Sequence, residues 1–251
     1  MPVVLKEINQ GVAIVTLNRE DKMNSLNREL ALSLQQVIAE CKDDKSVRVI
    51  YITGKGKAFC AGQDLTEAAD PSTIERILPE QLNPLVTLIR NLDKPVIAAV
   101  NGIAAGAGAS VALCCDIVVA AKSAYFVQAF GKLGLIPDSG ATYILPRLVG
   151  WQKATAFMML GDKIFGEEAE KTGMIYKAFD DETFIADSLG IANSLAQMSE
   201  DAISLTKHAL NKSATNTFEE QLKTEEQLQQ VAGRTEEFRM RLQAFNQKKK
   251  V

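Results

Sequence analysis

Short apolar runs and amphipathic stretches alternate along the first part of the chain. VLKEI and VAIVTL are two β-rich runs, and the NQG between them is typical of a hairpin turn. From Ser25 to Lys42 the apolar residues recur at helical spacing, which predicts an amphipathic helix. VRVIYIT, residues 47–53, predicts a buried strand, and the glycine-rich GKGKAFCAGQDL after it predicts a loop.

Uncharged segments become prominent in the middle of the chain. Residues 71–92 have a helical pattern that three prolines break into pieces. VIAAV (96–100) and IVVAA (117–121) predict buried strands, and the small residues from Gly106 to Cys115 predict a helix between them.

The last part of the chain has a mainly helical pattern. A helix is predicted within Pro146 to Leu160, a short one over Glu167 to Thr172, and increasingly charged helices from Asp181 onward. Strands that alternate with helices predict an α/β core with largely parallel pairing. We therefore predict a core over residues 1–195 and a helical C-terminal region over residues 196–251.

Charge argues against nucleic acid as a partner. The 251 residues include 28 Lys and Arg against 31 Asp and Glu, for a net charge of −3. A nucleic-acid binder more often carries a strongly basic face. We expect no nucleic-acid partner.

The cysteines and the single histidine bear on metal binding and location. Four cysteines without metal-ligand spacing and one histidine make a zinc site improbable, so we expect no metal. Buried free thiols and an N-terminus without signal-peptide features predict a cytoplasmic protein. Pro95 to Cys115 is uncharged and long enough to raise a membrane question. Its weakly hydrophobic glycines and alanines, with Asn101 among them, instead predict buried protein structure and no membrane partner.

Four segments in order carry a resemblance to a known family. They are LNREDKMNSLN, GKAFCAGQDL, KPVIAAVNGIAAGAGASVALCCDI and FGKLGLIPDSGATYILPRLVG. Together they resemble the crotonase (enoyl-CoA hydratase/isomerase) superfamily over nearly the whole chain. The resemblance implies an α/β fold, a spiral of ββα units with a C-terminal helical trimerisation region. It also implies a homotrimer or a hexamer built as a dimer of trimers. The substrate would be an acyl-CoA thioester, so coenzyme A is part of the substrate and no separate cofactor is expected.

The small-residue stretch GAGAS can bind an oxyanion. A backbone N–H reaches a ligand oxygen only where no bulky side chain blocks it, and a helix N-terminus offers free N–H groups. Tight helix packing is the alternative explanation for residues this small. The resemblance implies that the N–H groups of Ala107 and Gln63 stabilise the thioester oxyanion.

The predicted catalytic side chain is Asp138. Family hydratases carry glutamates where this chain has Ser110 and Phe130, and neither residue can act as a general acid or base there. Taken alone, Asp138 could be a turn residue or a helix N-cap. Family isomerases carry an acid at this position, and the surrounding segment is most similar to the ring-epoxide isomerases of aerobic phenylacetate breakdown. We expect an isomerase with Asp138 as its proton carrier and with a raised Asp138 pKa.

Substrate contacts follow from the resemblance as well. It places Ala61, Gly62, Asp64 and Leu65 at the coenzyme A, together with Gly108, Ser110 and Phe130 around the acyl thioester. Lys22 is placed to approach the phosphates, although a solvated lysine explains it nearly as well. Lys248 or Lys249 could reach the coenzyme A of a neighbouring subunit, and an ordinary charged tail is the alternative.

Three other functions stay open at this point. The first is an enoyl-CoA hydratase, and the second is a catalytically inactive member that binds acyl-CoA or RNA. The third is an aryl-CoA dehalogenase, in which an aspartate at this site is the nucleophile and a histidine assists. The only histidine here is His208, within the C-terminal helical region, where a surface role is favoured.

Overall fold

The computed structural model describes residues 1–67 and 75–248. Its strands are β1 Val4–Asn9, β2 Val12–Leu17, β3 Val49–Gly54, β4 Ala58–Cys60, β5 Val96–Val100, β6 Ile103–Ala105, β7 Ile117–Ala121, β8 Tyr125–Val127, β9 Ile164–Phe165 and β10 Lys177–Phe179. They form a six-stranded sheet with the order β1-β2-β3-β5-β7-β10 and a four-stranded sheet with the order β4-β6-β8-β9.

Helices surround the two sheets and form the C-terminal part of the chain. The α-helices of the described residues are α1 Arg28–Asp43, α2 Asn83–Asn91, α3 Ala107–Leu113, α4 Ala141–Val149, α5 Trp151–Leu160, α6 Gly166–Lys171, α7 Phe184–Ala196, α8 Glu200–Ser213, α9 Phe218–Gly233 and α10 Glu236–Lys248. A π-helical segment, Ile77–Leu82, leads directly into α2. Short 3-10 segments lie at Glu20–Lys22 and Ala129–Leu133.

From β3 to β8, successive strands alternate between the two sheets. β3, β5 and β7 pair in parallel in the large sheet, and each is followed in the chain by a strand of the small sheet, β4, β6 or β8. β4, β6 and β8 also pair in parallel. Helices follow these strand pairs, as α3 follows β5 and β6. This arrangement confirms the predicted α/β spiral of ββα units.

The N-terminal hairpin has the predicted turn. β1 and β2 are antiparallel, with Asn9 opposite Val12. Gln10 and Gly11 both have positive φ, +49° and +85°. Two left-handed residues in a two-residue turn match the right-handed twist of the strands.

Helix α1 begins later than predicted. The sequence pattern starts at Ser25, but the helix starts at Arg28. Asn27 is its N-cap, because the Asn27 side chain accepts a hydrogen bond from the Leu30 N–H at 2.9 Å.

Two further segments differ from the sequence expectation. The stretch from Pro146 to Leu160, where one helix was expected, is divided between two helices, α4 and α5. Gly150 separates them, because its φ of +77° and ψ of 164° lie outside the helical region. β4 lies inside the expected glycine-rich loop, where three residues are too few to show a strand period. Residues 71–74 of the expected helix over 71–92 lie outside the described residues.

The uncharged segment from Pro95 to Cys115 is part of the protein core. It contains β5, β6 and α3, and every residue of β5 and α3 is buried. In the ranges 1–67 and 75–248, no helix combines the length and the apolar character that crossing a bilayer requires. The four cysteines are buried free thiols, as expected, and burial raises the pKa of Cys60 and of Cys114 to about 12.

The C-terminal helices are joined to the core by a buried ion pair. Lys207 on α8 lies 2.7 Å from Asp116, which directly precedes β7. The Lys207 ammonium also donates to the Ile89 and Lys94 carbonyls at 2.9 and 3.2 Å. His208 follows Lys207 on the same helix. The predicted boundary between residues 195 and 196 lies within α7, just before its last residue, Ala196, and stays a prediction.

Candidate active site

One side of the site is the start of helix α3. The chain leaves β6 through Gly106, whose φ of +49° and ψ of −124° suit glycine. The Gly106 N–H donates to the Val127 carbonyl at 2.8 Å, which fixes this turn against β8. Ala107 is the first helical residue, so its N–H has no partner within the helix.

The opposite side is the loop after β4. Leu26 forms a parallel bridge with Gln63. Its hydrogen bonds run from the Leu26 N–H to the Gly62 carbonyl at 2.7 Å and from the Asp64 N–H to the Leu26 carbonyl at 2.8 Å. Because a parallel bridge uses the amide groups on either side of the central residue, the Gln63 N–H points away from Leu26.

Gly62 brings the two loops into contact. A Cβ at Gly62 would lie 2.8 Å from the Ala105 carbonyl oxygen and 3.7 Å from the Ala107 nitrogen. The Gly62 φ of +96° also disfavours any other residue. The absence of a side chain therefore lets the loop that carries Gln63 approach the N-terminus of α3, and the structure brings these two predicted residues together.

Gly108 and Ser110 support the packing of α3. A Cβ at Gly108 would lie 2.3 Å from the Cys60 carbonyl oxygen, so the glycine lets α3 pack directly on β4. Ser110 is fully buried, and its hydroxyl donates to the Gly106 carbonyl at 3.1 Å. Neither residue is among those that line the cavity, so tight packing explains part of the small-residue stretch.

The two loops open on a cavity of about 520 Å³. Residues 61–63 and 105–107 line one part of it. Most of its wall is apolar, formed by side chains that include Leu65, Ile77, Leu78, Leu82, Leu133, Leu135 and Ile136. Asp138 and Ser139 add polar groups to this wall. Such a cavity suits a ligand whose polar atoms meet a few fixed groups and whose remainder is apolar.

Asp138 is half-buried at the wall of this cavity. Burial raises the pKa of its carboxyl group, and the hydrogen bond from Ser139 opposes that shift. The N-cap of α4 is Gly140, and no side chain caps that helix end. The alternative reading of Asp138 as the cap of this helix is therefore wrong.

Phe130 lines the cavity at a position where hydratases of the family are expected to carry a glutamate. Its side chain is 7% exposed and its ring lies beside Gly106, 3.8 Å from where a Cβ would be. Among the described residues that line the cavity, Asp138 is the only one with an ionisable side chain.

The predicted coenzyme A contacts divide into two groups. Ala61, Gly62 and Leu65 line the cavity. Asp64 is 8% exposed and lies outside the lining, since its carboxylate accepts from the Thr66 hydroxyl at 2.7 Å and pairs with Arg19 at 3.0 Å. The Thr66 hydrogen bond, followed by Arg19, lowers the Asp64 pKa against the effect of burial.

Of the predicted lysine contacts, Lys22 alone has a described side chain, and it is not part of the cavity lining. Lys22 is exposed at the end of a 3-10 segment. Lys248 is the last residue of α10, and its side chain and the whole of Lys249 lie outside the described part of the structure. Within that described part, no cluster of three His, Cys, Asp or Glu could hold a metal ion.

Sequence reasoning missed three features of the site. The resemblance implies that residues 66–85 shape the pocket, but nothing in their pattern indicated the π-helical conformation that brings Ile77 and Leu82 to the cavity wall. The Ser139 hydroxyl lies against the Asp138 carboxyl group. Because the two residues are adjacent in the sequence, this contact could have been predicted. Both polar atoms of the Gln63 carboxamide are buried without a hydrogen-bond partner.

Fold and site together define an enzyme of the crotonase fold, with backbone amide groups gathered at an apolar cavity. The family described as enoyl-CoA hydratase/isomerase matches residues 7–251, and the chain belongs to this family. An acyl-CoA thioester fits the family as the substrate class.

Relatives with different names resemble the chain closely. It is 42% identical to 1,2-epoxyphenylacetyl-CoA isomerase of Escherichia coli, covering 98% of this chain and 95% of that protein. It is 40% identical to a probable enoyl-CoA hydratase of Rhodobacter capsulatus, covering 97% and 94%. The crystal structure of an enoyl-CoA hydratase from Bacillus anthracis superimposes with a TM-score of 0.93 at 31% identity, covering 98% and 96%.

Proposed function

We propose that this protein is a CoA-thioester isomerase with Asp138 as its single proton carrier. The supporting observation is that Asp138 is the only ionisable side chain among the described residues that line the cavity. Hydration needs acid and base groups to activate water and to deliver a proton. One base that moves one proton along an acyl chain needs neither a second carboxylate nor water.

In the proposed reaction, the N–H groups of Gln63 and Ala107 hold the thioester oxygen. Asp138 removes a proton from the carbon next to the thioester, and the resulting negative charge moves onto the oxygen between the two amides. Asp138 then returns the proton two carbons further along, so that a 3-enoyl-CoA becomes a 2-enoyl-CoA. One oxyanion donor contributes about 3 kcal/mol to lowering such a barrier.

The proposed substrates follow from the relatives and from the cavity. The Escherichia coli relative is named for 1,2-epoxyphenylacetyl-CoA, whose ring fits the apolar wall. We propose that this chain converts that epoxide to an oxepin-CoA, shifts the double bond of 3-enoyl-CoA, or does both. These reactions belong to phenylacetate or fatty-acid breakdown. The raised pKa of Asp138 suits removal of a weakly acidic proton.

The first experiment compares 3-hexenoyl-CoA with crotonyl-CoA, followed by ultraviolet absorbance and mass spectrometry. We expect 3-hexenoyl-CoA to become its 2-enoyl isomer at unchanged mass, and crotonyl-CoA to stay unhydrated. Rapid addition of water to crotonyl-CoA would overturn the proposal in favour of a hydratase. If the enzyme isomerises 3-hexenoyl-CoA, the ring epoxide is tested next.

Asp138→Asn tests the proton carrier directly. We expect this variant to lose isomerisation and still bind acyl-CoA, as a ligand-induced rise in melting temperature would report. Retained turnover would remove Asp138 from the mechanism. Loss of both turnover and binding would point to a structural role instead.

We also propose that the protein acts as a homotrimer or hexamer in the cytoplasm. The C-terminal helices expose large apolar side chains, among them Leu210, Phe218, Leu222 and Val231. Exposed apolar area of this kind marks interaction surfaces. The four free thiols fit a reducing compartment. Light scattering after size-exclusion chromatography measures the assembly, and a monomeric mass would contradict it.

A further inference from the structure

The turn that carries the proposed base has an unfavourable backbone conformation. The Ala141 N–H closes it by donating to the Asp138 carbonyl at 3.0 Å. Its two central residues, Ser139 and Gly140, have φ of +53° and +84°, the signs that a type I′ turn requires. Glycine adopts such angles readily, whereas serine seldom does. Contacts from outside the turn therefore have to hold Ser139 in place.

Cys114 supplies a contact of this kind. It directly follows the last residue of α3, and its thiol donates to the Ser139 carbonyl at 3.2 Å. Both residues are buried. The same sulfur lies 3.4 Å from where a Cβ on Gly140 would be. The Cys114 side chain therefore packs against both central residues of the turn.

The Cys114 thiol is a donor at neutral pH. Burial raises its pKa to about 12, against the opposing influence of the Arg90 guanidinium, so the sulfur keeps its proton. The neighbouring Cys115 is buried as well, but its thiol donates back to the Val111 carbonyl of α3, at 3.6 Å. Two adjacent thiols therefore differ in what they hold, and only Cys114 reaches the turn.

One residue connects this contact with the proposed base. The Ser139 hydroxyl donates to Asp138 Oδ1 at 2.9 Å. Among the described residues, this hydroxyl is the one group whose hydrogen bond or charge shifts the Asp138 pKa, which it lowers against burial. Because the Ser139 carbonyl and hydroxyl belong to one residue, a contact that fixes the carbonyl also limits where the hydroxyl can lie.

We propose that Cys114 is a positioning residue of the reaction, because its thiol holds the Ser139 carbonyl and so keeps the Ser139 hydroxyl on Asp138. This inference rests on the proposed function, in which Asp138 is the proton carrier. Cys114 is not among the residues that line the cavity, and it acts only through Ser139. Helix α3 then serves both halves of the mechanism, with Ala107 as its first residue and Cys114 directly after its last.

Two substitutions of similar size isolate the hydrogen bond. Cys114→Ala removes the donor, so we expect the Asp138 pKa to rise by about 0.5 to 1, the range that one lost hydrogen bond gives. Cys114→Ser keeps an O–H donor, so its Asp138 pKa should stay nearer to that of the unchanged enzyme. The acidic limb of kcat/KM for 3-hexenoyl-CoA reports this pKa in the reaction. Carbon-13 NMR of labelled aspartate carboxyl groups reports it directly, and Asp138→Asn identifies the signal.

Cys115→Ala is the matched control for Cys114→Ala. It also removes a buried thiol, so urea unfolding should show a similar loss of stability, but the Asp138 pKa should stay unchanged. Ser139→Ala already lacks the hydroxyl, and adding Cys114→Ala to it should move the pKa no further. Additive shifts in this double variant, or an equal shift in Cys115→Ala, would overturn the proposal.

The two readouts separate the possible failures. Retained turnover in Asp138→Asn would end the proposed function, and with it any part of Cys114 in the reaction. If Asp138→Asn is inactive and the NMR titration of Cys114→Ala matches the unchanged enzyme, only the Cys114 proposal fails. Should Cys114→Ala not fold, Cys114→Ser decides alone, and an Asp138 pKa as high as in Ser139→Ala would overturn the proposal.

Discussion

Ser139 donates its hydroxyl hydrogen to Asp138 Oδ1 across 2.9 Å. Ser139 is buried and has a φ of +53°, in the left-handed region that serine seldom adopts. This strained conformation places the hydroxyl beside the carboxylate and leaves Asp138 Oδ2 outside that bond. The contact therefore orients the proposed base and lowers its pKa against the effect of burial.

Removing this hydroxyl should move the pH dependence of the reaction. Ser139→Ala removes a hydrogen bond that stabilises the charged form, so the Asp138 pKa rises further. A base works deprotonated, so activity falls as the pH drops through this pKa. We expect the acidic limb of kcat/KM for 3-hexenoyl-CoA to lie at higher pH in the variant. An unmoved limb with a lower plateau would show that Ser139 affects only geometry.

Gly62 should be essential for the oxyanion site. In Gly62→Ala the new Cβ meets the Ala105 carbonyl oxygen at 2.8 Å, and backbone cannot move aside as a flexible side chain can. The Gln63 amide must shift, so we expect kcat to fall by about 10²- to 10³-fold, as when one oxyanion donor is lost.

Gly134→Ala is the matched control for Gly62→Ala. Gly134 also has a positive φ, +73°, but a Cβ there meets nothing within 4 Å. The Gly134→Ala variant therefore has the backbone strain of a positive φ without a Cβ contact like that at Gly62. Gly134 also lies outside the cavity lining. We expect near-normal steady-state kinetics at a temperature where both variants are folded. Equal losses in the two variants would assign the effect to strain.

Much of the fold could be predicted from local sequence patterns. The hairpin turn at NQG and the apolar runs of β3, β5 and β7 have local physical causes, which one sequence displays. The resemblance supplied the pairing of Gln63, in the loop after β4, with Ala107, at the start of α3. Helix ends were less predictable, because α1 begins at Arg28, after its cap Asn27, and not at Ser25.

The remaining parts of the site depend on contacts between distant segments. The π-helical segment Ile77–Leu82 reaches the cavity wall only through packing of the whole fold. The unpartnered Gln63 carboxamide is likewise a property of its surroundings, and the letter Q in CAGQDL gives no sign of it. The roles of Gly108 and Ser110 in packing follow from the contact of α3 with β4, which no local pattern shows.

Two glycines should respond oppositely to alanine. In Gly108→Ala the Cβ would lie 2.3 Å from the Cys60 carbonyl, so we expect a loss of about 1–3 kcal/mol in the free energy of unfolding from overpacking. Gly190 lies within α7, where an added Cβ would meet nothing within 4 Å, so Gly190→Ala should gain about 1 kcal/mol from helix propensity. Urea unfolding measures both, and a stable Gly108→Ala variant would contradict the tight contact.

The buried Lys207–Asp116 pair should make the stability of a Lys207 variant depend on pH. Burial raises the Asp116 pKa, and Lys207 is the largest opposing influence. Lys207→Met leaves the carboxylate buried without its partner, which costs about 3–5 kcal/mol of unfolding free energy at neutral pH. The Val96 N–H still donates to Asp116 at 2.8 Å, and this single bond does not replace the ammonium.

The sign of that pH dependence follows from the direction of the shift. Without Lys207 the Asp116 pKa rises further, so the folded variant holds a proton that the unfolded chain releases. Its stability relative to the unchanged protein therefore falls as the pH rises above the usual aspartate pKa. Urea unfolding should show a larger loss of unfolding free energy in Lys207→Met at pH 7 than at about pH 5.

Adding Asp116→Asn to Lys207→Met, which keeps an acceptor for the Val96 N–H, should recover part of that loss and remove the pH dependence. A deficit that is independent of pH, or a double variant no more stable than Lys207→Met, would show that the loss comes from the packing of α8.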